Sequence, residues 1–355
     1  MKEIFKKVKS KQHDYVEAKR LENEPPKAVP RITNTTVPEH REEVLSSARK
    51  FIYPLQHSKH KIVLISISIF IITIISFFTF STISLYKLQS TSTFMYKVTQ
   101  IIPFPIARVG SNFVAYENYL FELRRYQHYY ETQQKLDFNT ESGQQQLKEF
   151  KKRALDKVIN YAYIKDIAAE KNIKVSNQEI EDQIKLLQEQ NRLGNGDKVF
   201  EDVLQDYFGW SREDFKRYLG QELLTQKVVA SLDTETQAKA KSAYAELQKG
   251  KNFGAVAKKY SDDQASKNNG GELGFTVTRT NRDLTPIATD TLFQLKPGKI
   301  SKVINTGYSL EIFKLIEKKG DTVKGAHILL NFKDISAYTN DLKEKKPSRA
   351  YIQAP

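Results

Sequence analysis

The apolar positions of this 355-residue chain fall into three regimes. The first is one uninterrupted run, IVLISISIFIITIISFFTFSTISLY, from Ile62 to Tyr86, with no charge between Lys61 and Lys87. As a helix it would span about 37 Å at ~1.5 Å per residue, enough for a ~30 Å hydrocarbon core. Its many β-branched residues disfavour a helix in water. In lipid the backbone must satisfy its own hydrogen bonds, so a transmembrane helix over 62–86 is predicted. The run starts too far into the chain, and is too long, for a signal peptide.

The second regime has helical spacing. Pro103 and Pro105 interrupt the chain, so residues 87–105 read as a linker and a new unit starts near Ile106. There a short strand and a turn at Gly110-Ser111-Asn112 precede a ring-rich helix carrying Tyr116, Tyr119, Phe121, Tyr126, Tyr129 and Tyr130. A second helix carries Phe150, Ala154, Leu155, Val158, Ile159 and Ala162. Ser176…Glu179 and Ser211…Asp214 are capping boxes that open two more. Rings on a helix are more often core than surface.

The third regime, from Asp233, mixes periods. Asp233 or Thr234 caps a helix that Gly250 ends, and Phe253 to Tyr260 is a second, short helix. A polar, glycine-rich loop leads to a strand at Leu273–Val277. Pro286 opens a helix that runs to Leu295. Ile300–Ile304 and Leu310–Glu317 are strands joined at Gly307-Tyr308.

Charge adds a direction. The chain is basic, with 56 Lys+Arg against 42 Asp+Glu. Arg49, Lys50, Lys59 and Lys61 precede the apolar run with no acid after Glu43. The positive-inside rule therefore places residues 1–61 in the cytoplasm and everything beyond the membrane span outside. That tail is rich in proline, lacks a sustained apolar period and is expected to be disordered. No zinc-finger or phosphate-loop pattern is present, so no nucleic-acid partner is expected. Cysteine is absent, which excludes disulfides, thiol nucleophiles and Cys-based metal sites. No HExxH or Cys/His cluster occurs, and no metal or cofactor is expected.

Two resemblances emerge. ARVGSNFVAYENY, ALDKVINYAYIKDIAAEKNIKVSNQEIEDQI and FGWSREDFKRYLGQELLTQKV resemble the N-terminal module of the SurA family of periplasmic folding factors. That implies a helical domain over 106–232 holding unfolded chains in an apolar groove. The blocks FGAVAKKYSDD, NNGGELGF and TPIATDTLFQLKPGKIS resemble the parvulin family of peptidyl-prolyl isomerases. That implies a four-stranded antiparallel sheet wrapped by helices, over 233–355. The chain is thus expected to be α+β: a disordered tail (1–61), a span (62–86), a linker (87–105), a chaperone-like domain and a parvulin-like domain.

Two departures from the parvulin pattern matter. The family opens with an H-I-L strand, whereas here GAHILL appears after the last family strand, at Gly325–Leu330. The domain reads as circularly permuted, with 325–331 filling the slot of the first strand against Leu310–Leu315. The second departure is in the site. The family uses two histidines, an Asp or Cys, and an apolar wall for the proline ring. The resemblance assigns His327 and Asp263 as catalytic, and Leu273, Phe275, Leu284 and Phe293 to proline binding. The last-strand histidine is missing: Ser309, or Glu311 with two residues gapped, stands there. Ala288 stands where the family has a pocket phenylalanine.

No bond is made in proline isomerisation; the catalyst must bind the twisted amide better than the planar one. Two readings follow. One is an extracytoplasmic, membrane-anchored isomerase and foldase acting on unfolded or proline-containing polypeptides. The other is a weak or inactive holdase on the same scaffold.

Overall fold

A computed structural model describes residues 33–52 and 54–352. The chain divides into two compact units at Thr79/Phe80.

The first unit holds helix α1 (Thr36–Ile52) and most of α2 (Pro54–Thr82). α1 lies in the tail expected to be disordered, most of which (1–32) falls outside the described residues. Pro38 does not prevent α1, because it sits in the first turn, where its missing N–H has no helical partner to lose. α2 continues as a π-helical turn over Ile83–Lys87. The stretch Lys61–Lys87 is, among the described residues, the one helix long and apolar enough to cross a membrane. As far as Phe80 its side chains stand largely exposed: Leu64, Phe70 and Ile72 each show more than half their surface.

The second unit begins at Phe80, inside the expected span, and takes in the whole segment expected as a linker. Leu85 is fully buried, and helix α3 (Thr93–Ile101) buries Met95 and Val98. Pro103 and Pro105 end that helix and start a strand, so they punctuate a fold already under way. The Tyr116 hydroxyl donates to the Leu85 carbonyl at 2.6 Å, which ties the segment to the helices that follow.

Strands β1 (Pro105–Val109) and β2 (Asn112–Ala115) form a hairpin whose turn uses Gly110 at φ 55°. Helices α4 (Tyr116–Thr132), α5 (Glu141–Glu170), α6 (Asn177–Glu189), α7 (Asp197–Phe208) and α8 (Arg212–Leu232) follow. Both capping boxes form, at Ser176/Glu179 and Ser211/Asp214. Tyr116, Tyr119 and Phe121 are core, and Phe121 stacks on Trp210 with centroids 5.2 Å apart. Each such ring, fully buried, stabilises the fold by roughly 1.5–3 kcal/mol.

Then come α9 (Thr234–Gln248), α10 (Phe253–Tyr260), β3 (Val277–Thr278), α11 (Pro286–Gln294), β4 (Ile304–Asn305), β5 (Ser309–Lys319) and β6 (Thr322–Asn331). Asp233 caps α9 by accepting from the Thr236 amide at 3.0 Å. Helix α12 (Ser336–Lys345) and strand β7 (Ser348–Ala350) close the described chain, and β7 pairs with β1.

β3, β6, β5 and β4 make an antiparallel sheet in that order. The long central pair runs Leu310↔Leu330, Ile312↔Ile328, Phe313↔His327 and Leu315↔Gly325. GAHILL therefore lies against the strand named above, which is the pairing a permuted arrangement requires. The strand expected at Leu273–Val277 shrinks to β3, because Gly274 turns the backbone at φ 77°. Leu273 still donates its amide to the Gly325 carbonyl at 3.0 Å. One core layer (Val256, Leu310, Ile312, Ile328, Leu330) lies under α9 and α10. The other (Val277, Ala288, Leu292, Phe293, Phe313, Leu315, Val323) lies under α11.

Candidate active site

His327 is an inward residue of β6 and is 6% exposed. The loop after α10 is stitched to the same strand: the Asp262 amide donates to the Leu329 carbonyl at 2.7 Å, and the Leu329 amide donates to Ser261 Oγ at 3.1 Å. This stitching brings Asp263 Oδ2 to 3.0 Å from His327 Nε2. On the other side, Glu311 of β5 puts Oε2 at 2.8 Å from His327 Nδ1. Glu311 Oε1 in turn accepts from the hydroxyls of Thr306 (2.8 Å) and Ser309 (3.2 Å).

An imidazole between two carboxylates has a definite protonation. Ionised carboxylates only accept, and a neutral ring has a single N–H, so both contacts are hydrogen bonds when the ring is imidazolium. Burial works against that charge, but the bonds to Glu311 and Asp263 outweigh it and raise the His327 pKa above its ordinary 6.5. Asp263 is held down to about 2, first by the Ser266 hydroxyl and then by His327 and the Ala265 amide. Only Asp263 of the three is appreciably open to solvent, at 26% of its side chain.

The apolar candidates divide. Leu273 and Leu284 are half-buried and pack on the cluster around Phe313. Phe313 reaches the His327 ring, with centroids 6.4 Å apart, so that cluster adjoins the polar trio. Phe293 lies within the cluster, 5% exposed, with the Arg279 guanidinium 4.6 Å over its ring. Phe275 stands apart at 39% exposed. Ala288 is itself core, at 1%. Thr306, Phe313 and Ser266 carry no motif that sequence reading singled out, whereas Ser309 stood in the sequence at the position of the missing histidine. Glu311 had one signal, the two-residue gap after Gly307-Tyr308.

A second concavity lies in the helical module. It encloses about 770 Å³ between Phe113, Val158, Tyr161, Ile173, Ile180 and Leu224. Lys165, Lys174, Lys216 and Arg217 border it, and Arg217 is paired to both oxygens of Glu117 at 2.6 and 2.7 Å.

Residues 223–317 match the family profile of the PPIC-type PPIase domain, a match that stops before β6. Residues 55–229 match the SurA-like N-terminal domain. A foldase protein PrsA from Caldanaerobacter subterraneus is 30% identical over 224 residues, covering 57% of this chain and 67% of that protein. A PrsA from Clostridium botulinum is 26% identical over 250 residues, covering 60% and 72%. A parvulin-like PPIase from Rickettsia typhi is 30% identical over 156 residues, covering 42% of this chain and about half (52%) of its own length. With one foldase matched at this identity over two thirds of its length, and a PPIC-type domain over the sheet that carries Glu311, the chain belongs to the PrsA-type foldases and is a peptidyl-prolyl cis-trans isomerase of the parvulin class.

Proposed function

We propose that this protein is anchored by residues 62–86, with its folding domains outside the membrane, and isomerises prolyl bonds in unfolded secreted or envelope polypeptides. The trio Asp263–His327–Glu311 carries the reading, because it sets a fixed charge pattern beside an apolar cluster. Catalysis requires no nucleophile. As the amide twists, its nitrogen becomes pyramidal and its carbonyl dipole turns, and a preorganised field that suits the twisted form lowers the barrier. Asp263, the exposed member, faces the substrate. His327 fixes its carboxylate, and Glu311 holds His327 in register and charged, taking the place of the missing histidine. Leu273, Leu284 and Phe275 offer apolar surface to the proline ring, and Phe293 supports them from the core.

Permutation accounts for both the order of blocks and the sheet: β6 takes the place of the family's opening strand, entering from the C-terminal side. The basic flank Arg49, Lys50, Lys59 and Lys61 supports a cytoplasmic N-terminus.

The holdase reading is favoured by one observation of its own: a sizeable groove lies in the helical module, while Ala288 offers no wall to a proline ring. A prolyl-peptide isomerisation assay on the full chain in detergent separates the two. Catalysed interconversion that falls in Asp263→Ala supports the isomerase; a wild-type rate equal to the uncatalysed one leaves the holdase.

A further inference from the structure

We infer that Tyr308 and Glu222 form a clamp by which the helical module positions the isomerase site, and that Arg192 does the same for the apolar loop beside it. The inference rests on the isomerase reading and assigns that site two further controls.

Tyr308 lies in the turn between β4 and β5, and its hydroxyl donates to Glu222 Oε2 on α8 at 2.7 Å. Tyr308 is 57% exposed, but desolvation of its hydroxyl end against α8, then the Glu222 carboxylate, raises the phenol's pKa and keeps it able to donate. The turn cannot move without the trio. Thr306 and Ser309, on either side of Gly307-Tyr308, are the residues whose hydroxyls hold Glu311. The Thr306 amide also donates to the Ser309 carbonyl, and the Phe332 amide donates to the Tyr308 carbonyl, both at 3.0 Å. At Gly307 (φ 111°) a Cβ would meet the Gln226 amide at 3.0 Å, so a second α8 side chain closes over the turn.

The other end of the clamp is anchored. Lys157 Nζ sits 3.5 Å from Glu222 and 3.2 Å from the buried Glu122, so Glu222 is tied into a charged network inside the helices. The same helix faces the groove. Arg217, Gly220, Gln221 and Leu224 repeat at helical spacing along the lining, and Glu222 and Gln226 form the adjacent stripe. On the opposite flank, the Arg192 guanidinium donates to the carbonyls of Asn281 (2.6 Å) and Leu284 (2.5 Å), and Gln190 Nε2 donates to Pro286 O (2.8 Å). One contact thus holds the charged part of the site and the other holds the loop that carries Leu284.

The test uses the full chain in detergent micelles, with Tyr308→Phe, Glu222→Ala, Arg192→Gln and an exposed control, Lys198→Gln. Loss of a charge-assisted hydrogen bond at the turn should lower kcat about tenfold with KM within about twofold. The double variant of Tyr308 and Glu222 should be no worse than either single one. Arg192→Gln should instead raise KM. Equal changes in kcat and KM across all three, or none, overturn the inference. The ring 15N signals of His327 give a readout without turnover: a shift in Tyr308→Phe that is absent in Lys198→Gln supports the clamp, and unchanged signals overturn it. A wild-type rate at the uncatalysed level counts against the isomerase reading alone, because the His327 signals still decide the clamp.

Discussion

His327 and Asp263 are 64 positions apart in sequence and 3.0 Å apart in the fold, Nε2 to Oδ2. The contact joins a strand near the C-terminus to the loop after α10, and it requires β6 to lie in the centre of the sheet.

Removing either partner should cost activity more than binding. Asp263→Ala and His327→Gln are each expected to lower kcat about a hundredfold, the scale for one preorganised electrostatic group. The double variant should fall no further, since the two act as a unit. Isomerisation kinetics on a proline peptide measure this, and additive losses would contradict it.

The pH response follows from the trio. The His327 pKa is raised on folding, so its stabilisation is fully present below the unfolded value near 6.5 and is lost as pH rises through the higher folded value. Asp263 moves the other way: its contribution is present above its ordinary 3.8 and is lost as pH falls toward about 2. Stability should therefore plateau between roughly pH 4 and 6.5 and decline on both sides. Glu311→Gln should bring the alkaline decline to lower pH. Urea titrations across pH check it; an alkaline limb unmoved by that substitution would show that Glu311 does not hold the charge.

Glu311 is 5% exposed, and removing it strands a buried imidazolium and two hydroxyls. Glu311→Ala should destabilise the protein by about 3–5 kcal/mol, and Glu311→Gln by less, because the amide keeps an acceptor. Denaturant unfolding followed at Trp210 reads the difference.

Gly271 sits at φ 80°, and a Cβ there would come within 2.5 Å of the His327 carbonyl oxygen. Gly271→Ala should cost roughly 1–3 kcal/mol from strain and overpacking, and should also push β6 away from the loop that carries Asp263. A lower melting temperature with a lower kcat is the expected pair of results. A change in melting temperature alone would separate the strand from the chemistry.

Truncation after Gly320 should abolish the folded isomerase domain, because β6 is central and its loss leaves β3 and β5 with unpaired edges. Moving residues 322–332 to a position before Thr234 should restore it, if permutation is the correct description. Circular dichroism and limited proteolysis report the outcome; a truncated domain that stays protected would sink that description.

Local patterns determined much of this protein. A charge-free run long enough to span a bilayer, two capping boxes and the blocks around Tyr260, Gly271 and Pro297 were all legible in the sequence. Each depends on neighbours within a few residues, where helix period, capping and turn chemistry act. Asp263 and His327 were singled out by resemblance, and the fold brings them to 3.0 Å of each other. Only the tertiary structure placed Glu311 between His327 and the Thr306/Ser309 hydroxyls, and only it brought Phe313 to the ring. It alone filled the segment between the apolar run and Ile106 with a packed helix. Those facts depend on strand register, which sets Phe313 opposite His327, and on burial against other elements, as where Tyr96 packs on the cluster around Phe200 and Trp210. Hydrophobic periodicity says which face turns inward, not which partner it will meet.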